Sequence, residues 1–137
     1  MNKHIVFLLI TLPFLTQCKT QQNSANIMTT YEYLDGNNNK YTITPTNIIY
    51  DPVRPEQSST GLYSGGEPYT APLEEKQFKD MEEVIKKSIS NADGQIDSRN
   101  KGTGMLIVLP EKKSYIFEMN SEQKKEIEAV ILLYTRR

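Results

Sequence analysis

Met105-Leu106-Ile107-Val108-Leu109-Pro110-Glu111-Lys112-Lys113-Ser114-Tyr115-Ile116-Phe117-Glu118-Met119 is the stretch that decides the fold class. Met105 to Leu109 is an unbroken apolar run of strand length, the pattern of a strand central in a sheet. Pro110 to Lys113 turns the chain, and Ser114 to Met119 returns as the partner strand. Immediately afterwards the period changes. From Ser121 to Thr135, Ile127, Val130, Ile131 and Tyr134 recur at i, i+3, i+4 and i+7, which predicts an amphipathic helix. Asn120 or Ser121 can cap it, and Arg136 and Arg137 stand where the helix dipole favours cations.

Working outward, the same alternation of elements recurs upstream. Thr30 to Leu34 is rich in strand formers, Asp35-Gly36-Asn37-Asn38-Asn39 is a turn, and Lys40 to Thr44 returns as its partner. Asn47 to Asp51 is a further short strand, ended by Pro52 and Pro55. Arg54 to Thr70 reads as a long loop or irregular edge strand. Glu74 to Ser90 is a helix, with Phe78, Met81, Ile85 and Ile89 at helical spacing and Val84 beside them. Asn91 to Gly94 ends it, Gln95 to Arg99 is a short strand, and Asn100 to Gly104 is a link. The order is strands, helix, strands, helix. That predicts an α+β fold, an antiparallel sheet with both amphipathic helices packed on one face. Phe78, Ile85, Ile107, Phe117, Ile127 and Ile131 are the expected core. Residues 29–137 are expected to form a single domain.

The chain has 137 residues, 16 basic and 17 acidic, a balance without the basic excess that nucleic-acid binding needs. Its start carries a different signal. Lys3 precedes the apolar run Ile5 to Leu15, which as a helix would span roughly 16 Å, about half a bilayer core. That is a signal-peptide length. Leu15-Thr16-Gln17-Cys18 resembles the lipobox of bacterial lipoproteins, with Gln17 where Gly, Ala or Ser is usual. Residues 1–17 are therefore expected to be a signal peptide, and Cys18, the only cysteine, the lipidation site. The alternative is an ordinary secretory signal cut near Cys18. Lys19 to Asn26 is polar, and residues 18–28 read as the lipidated cysteine and a flexible tether.

The only histidine, His4, falls inside that signal. A mature chain with no histidine and an acylated cysteine excludes Ser-His-Asp and Cys-His catalysis and His- or thiolate-ligated zinc. No cofactor is expected. Asp35, Asn37 and Asn39 match the start of a calcium loop, but Lys40 and Thr46 stand where Gly and Glu are required, so a hairpin turn is the better reading. Ser121-x-x-Lys124 echoes a penicillin-binding motif whose other parts are missing, and helix capping explains Ser121. No Gly-Lys-Ser/Thr follows any glycine, so there is no P-loop. Tyr63 and Tyr69 sit among glycines and serines where no core pattern requires them. With Glu67, Arg99 and Lys101 they are the candidate binding residues.

The lipobox-like start, Ser58-Ser59-Thr60-Gly61-x-Tyr63-Ser64-Gly65-Gly66 and Arg99-x-Lys101-Gly102-Thr103-Gly104 together resemble small uncharacterised lipoproteins of the Bacteroidetes group. The resemblance implies an envelope location in a diderm bacterium, and Lys19 after the cysteine points to the outer membrane. The expected function is a lipid-anchored, non-catalytic binding or accessory module, inhibitor- or immunity-like in one version. Its expected partners are the membrane, through the lipid, and another envelope protein. The alternative is a small hydrolase using two carboxylates about 5 to 10 Å apart.

Overall fold

The computed structural model describes residues 28–136, so the signal segment, Cys18 and all of the tether but Met28 lie outside the described residues. Seven strands and two helices follow: β1 Thr30–Leu34, β2 Lys40–Ile43, β3 Asn47–Asp51, β4 Tyr69–Pro72, α1 Glu75–Ser90, β5 Gln95–Ile96, β6 Gly104–Leu109, β7 Lys113–Phe117 and α2 Glu122–Thr135. The strands form one sheet in the order β4-β3-β2-β1-β6-β7-β5, and each neighbouring pair is antiparallel. The first four strands meander to one edge. Helix α1 carries the chain back to the far edge, where β5 pairs with β7. Strand β6 then enters between β1 and β7.

Both helices lie on one face. Successive strand side chains alternate, so Tyr31 and Tyr33 of β1 share a side. The Tyr31 hydroxyl donates to Glu82 of α1 at 2.9 Å, and the Tyr33 hydroxyl to Glu128 of α2 at 2.9 Å. The α+β reading of the sequence therefore holds in class and layering. Gln95 to Arg99 is shorter as a strand than expected, because only Gln95 and Ile96 pair with β7. The Gln95 side chain instead donates to the carbonyls of Ile89 and Asn91, closing the open end of α1. Ser121 caps α2 by accepting from the Lys124 amide.

Four of the expected core residues, Ile85, Phe117, Ile127 and Ile131, are fully buried. Phe78 is half-buried against Tyr31. Ile107 is a correction. It lies opposite Glu32 and Ser114 on the face that neither helix covers, and it stays half-exposed. Its neighbour Leu106 is the residue with no exposed surface, opposite Tyr33 and Tyr115. An unbroken apolar run gives no alternation from which to read the face, so β6 alone could not assign it.

One register row carries a ladder of tyrosines. Tyr33, Tyr41, Tyr50 and Tyr69 are successive cross-strand partners on β1 to β4. Their ring centroids are 6.4, 4.8 and 4.8 Å apart. Tyr69 is thereby placed by the sheet, contrary to the expectation that no packing pattern requires it. Such aromatic pairs each add about 0.5–1.5 kcal/mol beyond area burial.

Burial, then neighbouring Glu82 and Glu128, pushes the Tyr31 and Tyr33 hydroxyls far above the ordinary tyrosine range; burial and then Tyr50 do the same for Tyr41. The folded-state values lie above the unfolded value near 10, so this stabilisation is complete below about pH 10 and is lost as pH rises further. In an alkaline titration, Tyr31, Tyr33 and Tyr41 are expected to ionise only in a step that coincides with loss of far-ultraviolet dichroism. Smooth ionisation of these three in an intact fold would contradict it.

Candidate functional site

At one end of the sheet, two loops are sewn together. The β1–β2 turn is built on Asp35, whose carboxylate accepts from the amides of Asn37 and Asn39 at 2.8 and 2.9 Å. Asn38 takes φ +69° there, a conformation asparagine tolerates. The segment before β6 lies against this turn. The Gly102 amide donates to the Gly36 carbonyl at 3.2 Å, and a Cβ on Gly36 would sit 2.8 Å from the Gly102 oxygen. Arg99 reaches across from the same segment. It donates to the Asp35 carbonyl at 2.9 Å and to the Asn38 amide oxygen at 2.6 Å. Burial lowers the pKa of its guanidinium, opposed by Tyr33 and Asp35. Its Nη1 is buried with no hydrogen-bond partner.

This double loop is one wall of a recess of about 580 Å³. The floor is Tyr41, where the ladder emerges from under α2. The opposite wall is Lys124, Glu128, Ile131 and Leu132, which the i, i+4, i+7, i+8 spacing sets on one face of α2. Met119 and Leu132 are exposed at the mouth. Inside the recess the charges are mostly committed. The Glu128 carboxylate accepts from Tyr33 and from Lys124, each at 2.9 Å. The Asp35 carboxylate holds the turn and also accepts from the Asn39 side chain at 2.8 Å. Lys101 differs, because it has no ion-pair or hydrogen-bonded side-chain partner among the described residues.

Two further hollows adjoin it. One, of about 710 Å³, lies among Lys40, Asp51, Ser58 and Tyr63. The other, of about 460 Å³, lies among Ser98, Thr103, Glu118 and Met119. Lys101 borders all three.

The five candidate binding residues therefore do not form one cluster. Lys101 lines the recess, and Arg99 supports its wall from behind rather than pairing with Glu67. Tyr63 lines the second hollow, with its hydroxyl accepting from Asn39 at 2.9 Å. Glu67 is exposed, and neither it nor Tyr69 lines any of the three. The loop around Tyr63 is held internally. Gly65 donates to the Val53 carbonyl at 2.9 Å, the Tyr50 hydroxyl donates to the Gly65 carbonyl at 2.7 Å, and a side chain on Gly65 would overlap the Asn39 amide. Sequence reasoning missed Tyr41, Met119, Lys124, Glu128 and Leu132. The one available signal was that Leu132 and Leu133 carry apolar character beyond the core stripe of α2.

The described residues contain no histidine or cysteine, and no group of three or more metal-ligating side chains. Both carboxylates of the recess already accept from protein donors. None of the described helices is long and apolar enough to cross a membrane. No protein family, curated protein or solved structure matches this chain.

Proposed function

We propose that the protein is a lipid-anchored, non-catalytic binding module of the bacterial cell envelope that takes its ligand in the recess beneath α2. The recess carries the binding half of this reading. It is of ligand-pocket size and combines apolar lining from Tyr41, Met119, Ile131 and Leu132 with a few polar groups, as small-molecule sites commonly do. The anchored half rests on the sequence before residue 28. A short tether would hold the domain near the membrane and raise its effective concentration toward envelope ligands.

The test is nuclear magnetic resonance of the labelled protein against fractionated envelope extracts. Shifts concentrated at Tyr41, Lys101 and Leu132, and absent in a Leu132→Arg variant, are the expected result. A folded protein that responds to no fraction would refute the binding reading. A fraction component that is chemically converted would refute the non-catalytic part and favour the carboxylate hydrolase.

Anchoring has its own expected outcome. Wild-type protein incorporates labelled palmitate in a bacterium that processes lipoproteins, and Cys18→Ser abolishes incorporation. Two acyl chains make such anchoring stable, because each buried CH2 contributes about 0.8 kcal/mol. Wild-type protein without label would sink the lipidation claim.

A further inference from the structure

The charge arrangement of the recess narrows the ligand class. Glu128 is matched by Lys124 at 2.9 Å. Asp35 is held by three donors from its own turn, with the Arg99 guanidinium bonded to the same turn behind it. Lys101 is then the charge left over, on a recess that the Tyr41 ring and the apolar side chains of Met119, Ile131 and Leu132 also line. The Asn37 side-chain amide, also on the wall, is engaged by no protein partner among the described residues and is a second donor. A dianion such as phosphate would bring its second charge toward the Asp35 and Glu128 carboxylates. A cation would meet Lys101 and find both carboxylates already occupied. A single negative charge on an apolar body meets neither penalty.

We propose that the recess binds a single-chain amphiphile ending in one carboxylate. The chain lies on Met119, Ile131 and Leu132 over the Tyr41 ring, and the carboxylate sits between Lys101 and Asn37. This deepens the binding reading above and rests on it. Apolar contact supplies most of the affinity, at about 25 cal/mol per Å² removed from water, and the charge-assisted bonds to Lys101 and Asn37 select the head group.

The test uses the Cys18→Ser chain purified without detergent. The fold described here is that of residues 28–136, and position 18 lies outside the described residues. Calorimetry compares four probes: decanoate, decanol, decyltrimethylammonium and inorganic phosphate. Decanoate is expected to bind at least about tenfold more tightly than decanol, the difference one charge-assisted bond supplies. Lys101→Ala is expected to remove that difference by weakening decanoate alone, and Leu132→Glu to abolish binding of both. Lys101 and Leu132 are exposed, so both variants are expected to fold, with melting temperature as the check. Equal affinity for decanoate and decanol would overturn the carboxylate proposal while leaving a binding recess. Preference for the cation or for phosphate would overturn it in the same way. If no probe binds but envelope extracts still shift Tyr41 and Leu132, the amphiphile proposal fails and the binding reading survives.

Discussion

Leu106→Ala is expected to destabilise the protein by about 3 kcal/mol, and Ile107→Ala by about 1 kcal/mol or less, although the two are neighbours on one strand. Leu106 has no exposed surface and lies between Tyr33 of β1 and Tyr115 of β7 under the helices. Truncating it removes buried methyl groups and leaves a cavity that the flanking tyrosine rings cannot collapse into. Ile107 faces the uncovered side opposite Glu32 and Ser114, where water fills the lost volume. Urea unfolding of the two variants measures the difference directly. Equal losses, or a larger loss at Ile107, would mean that β6 presents its other face to the helices.

Asn39→Ala is expected to cost about 2–3 kcal/mol, a large effect for a polar residue in a turn. Asn39 is almost fully buried, and its amide binds three partners. Its nitrogen donates to the Asp35 carboxylate at 2.8 Å and the Tyr63 hydroxyl at 2.9 Å, and its oxygen accepts from the Val53 amide at 3.0 Å. Removing it leaves the Val53 amide unsatisfied and releases the loop at Val53 and Tyr63, with Gly65 still held by the Tyr50 hydroxyl. Tyr63→Phe deletes only one of these bonds and is expected to cost about 1 kcal/mol. Chemical denaturation measures both, and limited proteolysis should find new cleavage between 54 and 64 in the Asn39 variant alone. An Asn39→Ala protein as stable and as protease-resistant as wild type would show that this loop is held by something else.

Elements with a clear period were legible in the sequence. The stripe of Ile127, Val130, Ile131 and Tyr134 placed α2, and Gly and Asn marked the β1–β2 turn because few other residues tolerate its backbone. What stayed hidden was long-range register. Tyr33, Tyr41, Tyr50 and Tyr69 come from four strands, and only their pairing makes them a ladder. The edge strand β4 was hidden behind the Gly-Ser-rich loop, so Tyr69 read as loop. Lys101 was singled out for its neighbours in sequence. Its significance lies in being brought beside Tyr41 and Leu132, sixty residues before it in one case and about thirty after it in the other. Asn39 read as a turn former, and nothing local in the sequence shows that its amide also holds a loop fourteen and twenty-four residues away.

The position of β1 in the middle of the sheet has a consequence for the order in which the molecule assembles. Its first partner, β2, arrives six residues later, but its second, β6, begins at Gly104. A nascent chain that has reached α1 therefore holds a four-stranded meander with one long edge of β1 unpaired and no α2 over Tyr33. Closing that edge brings together segments about seventy residues apart, a high-contact-order step that slows folding. Until it occurs, the row of tyrosines is exposed beside a free strand edge, the combination most prone to pairing with another chain. Chains truncated before Gly104 should accordingly aggregate rather than fold, while the same chains supplied with residues 104–136 as a separate fragment should recover the sheet.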